Sequence, residues 1–203
     1  MTDWDDDTPR LRSNLAQVFG RVRDEALRRE PLTVETARGW QLDIMQGLVP
    51  PAPKLVGRFR GEAGLEDYNV KVGDLPGVQA SDVSSELAQF NRKLRQAITE
   101  LDHLIKPGQD LNADDLAAIL TLSAWAHSEW VRIHPFANGN GRTARLWVNS
   151  IAMRYGLPPQ RGREQKNRGA QAAPRGSERA PPGRGRAAVA GRAAVGTGST
   201  QTA

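Results

Sequence analysis

The run "RIHPFANGNGRTARLW" (Arg132–Trp147) decides how this chain folds. Between His134 and Arg145 it packs a His, a Pro, a Phe, two Asn, two Gly and two Arg. That mixture is too rich in Gly and Asn for a helix interior and has no strand-like alternation. Both flanks carry helical periodicity. Upstream, Leu116, Ile119, Leu120, Ala124, Trp125 and Val131 form the expected apolar stripe, with Asn112 and Asp115 as a capping pair. Downstream, residues 141–156 resume a helix that Gly156 and the following "LPP" end. The predicted fold is mainly α, with a chemically loaded loop breaking a helical pair.

Gly139, Asn140 and Gly141 tolerate positive φ, so their N–H groups can converge into an anion-binding nest. The turn opens directly into a helix, whose leading N–H groups and dipole also favour an anion. Arg142 starts that helix and Arg145 follows one turn later, so both guanidinium groups can reach one anion. His134 sits just before the turn, with Pro135 fixing the chain direction. An imidazole beside bound phosphate is a natural general base. Phe136 is expected to anchor the loop in the core. The other histidines, His103 and His127, lack such company and read as core or surface residues, and Trp125, Trp130 and Trp147 read as core packing.

Helical spacing also marks Arg10–Arg29, a second helix from the N-cap Thr33 to about Gln46, and a long one from Ser81 through Val83, Leu87, Phe90, Leu94, Ile98 and Leu101. Between them, "LVGRFR" (Leu55–Arg60) and "DYNVKVGDLPG" (Asp67–Gly77) alternate like two short strands, predicting a small hairpin with "GEAG" as its connection.

The chain has 203 residues and no cysteine, which excludes disulfides, thiol nucleophiles and Cys-bound metals. No apolar run approaches a membrane span, and the acidic "MTDWDDDTPR" start lacks a signal-peptide core, so the default compartment is the cytoplasm. The net charge of +5 is unevenly placed. Residues 160–203 hold nine Lys and Arg against two Glu, and two-thirds of that tail is Ala, Gly, Arg or Pro. Such a composition cannot bury enough apolar area to order itself, and it is what a GC-rich gene read in a shifted frame would give; a natural basic tail is the alternative. With no aromatic residues for stacking, the tail is a poor nucleic-acid binder. The expected organisation is an acidic N-terminus (1–9), a helical extension (10–54), a core (55–158) and a low-complexity tail (159–203).

"HPFANGNGRTAR" (His134–Arg145) resembles the signature of the Fic (Fido) family, H-P-F-x-[D/E]-G-N-G-R-x-x-R, at every fixed position but one. The resemblance implies an all-α core with a β-hairpin flap; the disordered basic tail beyond it is read from composition. It implies transfer of AMP from ATP, with Mg²⁺, to a Ser, Thr or Tyr hydroxyl of a protein substrate. His134 would be the base. Gly139, Asn140, Gly141 and Arg142 would hold the α- and β-phosphates, and Arg145 the terminal ones. Asn69, Val70, Lys71 and Val72 of the flap would clamp the target strand-fashion. The departure is Asn138, which replaces the acid that holds Mg²⁺ and is a weaker metal ligand. Two alternatives follow: a kinase-like member of the same fold, or a nucleotide-binding domain silenced by Asn138 and a shortened C-terminus. Kinase-like relatives carry A-N-K where this chain has Gly-Asn-Gly, which favours the AMP orientation. No Glu in the chain precedes Gly or Asn, so the family's inhibitory [S/T]-x-x-x-E-[G/N] helix is not encoded; the alternatives are a separate antitoxin-like partner, as in toxin–antitoxin pairs, or a motif in sequence lost from the C-terminus. The family core normally continues with a helix after "LPP"; if nothing covers the apolar face of Leu146, Trp147, Ile151 and Met153 here, the domain should be less stable or should associate with itself.

Overall fold

A computed structural model describes residues 8–160. The expected tail therefore lies almost wholly outside the described residues, as does most of the acidic N-terminus. Five helices dominate: α1 (Pro9–Leu27), α2 (Val34–Ile44), α3 (Ala80–Leu104), α4 (Ala113–Ile133) and α5 (Asn140–Arg154). A 3₁₀ turn (Pro53–Leu55) and one two-stranded hairpin, β1 (Lys71–Val72) and β2 (Leu75–Pro76), lie between α2 and α3. The mainly helical class with a small hairpin is as the sequence implies.

The helix starts follow from their caps. Thr8 accepts the Leu11 N–H at 3.1 Å with Pro9 at the first helical position. Thr33 and Thr36 make a reciprocal capping box on α2, and Asn112 and Asp115 make the expected one on α4. α3 lacks a cap from its own N-cap residue; Asn69 reaches in from the hairpin and accepts the Ala80 N–H at 2.8 Å.

The α3 stripe is buried as predicted, but the α4 stripe is only half so: Ile119 is buried, and Trp125 and Val131 pack against the core. Leu116, Leu120 and Ala124 are exposed, and the buried face runs Ile119, Leu122, Ser123, Ala126, Trp130 and Ile133. The first half of α4 is apolar nearly all round, so periodicity alone could not select the face. Trp130 settles it: its indole N–H donates to Thr143 Oγ1 at 2.8 Å, tying α4 to α5.

The hairpin also differs from expectation. Leu55–Arg60 is not a strand, and both strands come from within Asp67–Gly77, with Lys71 opposite Pro76 and Val72 opposite Leu75. The connection is Gly73-Asp74, with Gly73 at φ +62°. Leu55 and Phe59 are buried against the helices instead, and the Arg60 N–H donates to Pro135 O at 2.8 Å rather than to a strand partner.

The core is aromatic. Trp130, Trp147, Phe90 and Phe136 are fully buried, Phe90 stacks on Trp125 at 5.1 Å, and Trp40 meets Trp147 edge-on at 4.9 Å. The apolar face of α5 is covered, so the condition for a weakened or self-associating domain is not met. Leu146, Trp147, Ile151 and Met153 are all buried, because α1 and α2 pack on α5 along with α4. Val18 and Val22 of α1 belong to that core, and Asn14 fastens α1 to the end of α2 by donating to Ile44 O and Gln46 O at 3.0 and 2.7 Å.

Candidate active site

α4 ends where His134 turns left-handed, at φ 52° and ψ 56°. A non-glycine residue there costs about 1 kcal/mol, so something must hold it. Arg60 does much of the holding. Its side chain is 1% exposed, and its guanidinium donates to His134 O at 2.7 Å, Ile133 O at 2.9 Å and Tyr68 O at 3.2 Å. It thereby supplies donors, and a positive charge, to the carbonyls at the C-terminus of α4.

The loop is pinned from inside as well. Phe136 packs on Phe59 at 4.9 Å, as an anchor should. Asn140 is 2% exposed; its Oδ1 accepts the Phe136 N–H at 2.9 Å and its Nδ2 donates to Phe136 O at 2.8 Å. Its side chain is therefore a brace, and what Asn140 can offer an anion is its backbone. Gln41 of α2 adds a second brace, donating to Asn138 O at 3.3 Å while accepting the Gly57 N–H at 2.6 Å. Gly139 stands at φ +90°, which favours glycine, and a Cβ there would sit 3.1 Å from Met45 Cε, a close contact that the methionine would have to yield to.

These constraints leave a cavity of about 310 Å³ lined by His134, Ala137, Asn138, Gly139, Asn140, Gly141, Arg142 and Arg145. The expected base, the phosphate-binding residues and Asn138 all line it, while Phe136 faces the core. α5 begins at Asn140 without a side-chain cap and without an acid in its first turn. Arg145 lies back over that turn, its Nη1 3.6 Å from where a Gly141 Cβ would stand. Arg142 donates to Asn138 Oδ1 at 3.0 Å. The cavity can thus offer an anion two guanidinium groups and a helix N-terminus.

His134 is half-buried. Its Nδ1 lies 3.2 Å from Val131 O, and a carbonyl can only accept, so Nδ1 carries the proton and Nε2 is left basic. Burial pushes its pKa below the usual histidine value; the Val131 bond opposes this and the nearby Arg60 charge adds to it. The neutral imidazole is therefore favoured over the protonated one.

The hairpin residues are divided in role. Asn69 is spent on capping α3, while Lys71 is exposed and Val70 and Val72 are half-buried; none of the four lines the cavity. Among the described residues no three His, Asp or Glu side chains gather as a metal site. Asn138 offers a neutral oxygen already turned to Arg142, so the donor set does not fit a protein-held Mg²⁺. Gln41 and Arg60 escaped the sequence reading; a Gln on an apolar stripe and an Arg among aromatic residues were the faint signals. Among the described residues no helix is long and apolar enough to cross a membrane.

A family model described as the Fic/DOC family matches residues 31–152. A protein adenylyltransferase Fic from Nematostella vectensis is 34% identical over 107 residues, covering 53% of this chain and 20% of that protein. A protein of the same name from Aedes aegypti is 57% identical over 37 residues, 18% of this chain and 7% of its own. This chain thus spans a fifth or less of the length of these relatives. A crystal structure of a Fic-domain-containing signaling protein from Bacteroides thetaiotaomicron overlays with a TM-score of 0.52 at 24% identity, covering 72% of this chain and 48% of that one, a likeness of fold.

Proposed function

This chain belongs to the Fic/DOC family, and from that premise we propose that it is a protein adenylyltransferase, moving AMP from ATP to a side-chain hydroxyl of a protein substrate. The observation that carries the reading is the cavity itself, where a neutral His134 stands beside two arginines and the open N-terminus of α5.

The chemistry balances. The target hydroxyl oxygen attacks the α-phosphorus, a new P–O bond forms, and the bond to the bridging oxygen breaks so that pyrophosphate leaves. The hydroxyl proton passes to His134 Nε2. The backbone of Gly139–Gly141 and Arg142 hold the α- and β-phosphates, and Arg145 reaches the terminal ones, spreading positive charge where negative charge develops. The nucleophile must arrive in line with the leaving pyrophosphate, which makes positioning the larger part of the task. Val70, Lys71 and Val72 supply a strand edge to which an extended target segment can pair.

ATP labelled on the α-phosphate, incubated with the protein and a cell lysate, tests the reading. Label should appear on protein with the wild type and disappear with His134→Ala. Label that survives in His134→Ala removes His134 as the base, and the absence of label in both removes the activity.

A further inference from the structure

We infer that the cavity balances the charge of its polyphosphate with protein cations alone and gives no binding advantage to a divalent metal. The inference rests on the reading above that the phosphates of ATP occupy the cavity. Among the described residues its lining holds Arg142 and Arg145 and no Asp or Glu. Two nearby carboxylates are already paired, Glu62 with Arg38 and Asp43 with Arg21. At position 138 the side-chain oxygen accepts from Arg142 at 3.0 Å. An oxygen whose lone pair faces a guanidinium is a poor place for a second cation.

Mg²⁺ seeks an octahedron of oxygens, ordinarily one or two carboxylates with phosphates and water. Here phosphate and water would have to supply all of it. The metal would enter as the nucleotide's ligand, adding positive charge where two guanidinium groups and a helix N-terminus already stand. The uncomplexed triphosphate carries more negative charge than its Mg²⁺ complex, so the arginine-lined site gains more from the uncomplexed form. Asn138→Asp should reverse this order. A carboxylate there would pair with Arg142 and repel bare phosphate, and it would give Mg²⁺ a ligand.

The test is calorimetric titration of the full chain with ATP carrying a non-cleavable α,β-methylene bridge, at matched ionic strength, in EDTA and in saturating Mg²⁺. The expected result is binding in EDTA as tight as, or tighter than, binding in Mg²⁺, with Asn138→Asp weakened in EDTA and restored by Mg²⁺. Tightening of the wild type by Mg²⁺ of about fivefold or more, which is about 1 kcal/mol, overturns the inference while leaving the phosphate site intact. Binding in neither condition overturns the phosphate site and the inference together.

Discussion

Arg60 is a guanidinium buried beneath a histidine, and its bonds run to backbone carbonyls; among the described residues no carboxylate pairs with it. Its charge lowers the pKa of His134 in addition to burial, so the protonated imidazole is disfavoured twice. The acid limb of the pH–rate profile for label transfer should therefore lie below the ordinary histidine value of 6.5. With Arg60→Met the limb should move up, because a cation no longer opposes protonation. Chemical denaturation of the same variant should show a loss of about 3 kcal/mol, from leaving buried carbonyls unpaired. A limb that stays in place would show that Arg60 is structural and nothing more. Gly139→Ala tests the loop's backbone: the positive φ costs about 1 kcal/mol and the Met45 contact adds to it, so stability and nucleotide affinity should fall together. His134, Gly139, Arg142 and Arg145 were legible in the sequence because they lie within twelve residues of one another. Arg60 and Gln41 were not, because they reach the loop from 74 and 97 residues away. Periodicity and spacing carry no information about such contacts.

Among the elements, α4 separates what a pattern can say from what packing decides. Its start was written plainly in Asn112 and Asp115, yet its buried face was not, since Leu116 and Leu120 fit a helical stripe as well as Ile119 and Leu122 do. Paired substitutions distinguish the two faces. Ile119→Ala should cost about 3 kcal/mol, whereas Leu120→Ala should stay within about 0.5 kcal/mol. Equal costs by urea denaturation would contradict the observed face. The hairpin shows the same limit: alternation at Leu55–Arg60 reflected burial of Leu55 and Phe59 against helices, not pairing of strands. α1 matters to the site indirectly. It covers the apolar side of α5, the helix that presents Arg142 and Arg145, so Val22→Ala should destabilise the protein by about 2 kcal/mol without contact with the cavity.

In the whole molecule, the ends of α1, α3 and α5 meet in one charged knot. Arg154 Nε donates to Asp102 at 3.0 Å, its Nη1 donates to Glu30 O at 2.8 Å, and Tyr155 donates to Asp102 at 3.1 Å. Burial pushes the Asp102 carboxyl up, but the Arg154 bond and charge, Tyr155 and Arg29 outweigh it and leave the carboxyl below its usual value. A carboxylate so depressed stabilises the fold above its unfolded pKa, about 3.9, and loses that contribution as pH falls through the folded value. Acid titration of Asp102→Asn should therefore show a smaller loss of stability below about pH 4 than the wild type shows. The fold carries Fic-family architecture, and the signature loop joins α4 to α5 at the end of α5 opposite this knot.

The measurement that bears most directly on the account compares two label positions in one experiment. ATP labelled on the α-phosphate and ATP labelled on the γ-phosphate are each incubated with the protein, a lysate and, in parallel, His134→Ala. The account predicts protein-bound label from the α-position alone, lost in His134→Ala. Label from the γ-position alone would reverse the nucleotide in the cavity and make the enzyme a kinase, and no His134-dependent label from either would deny the catalytic role of the loop.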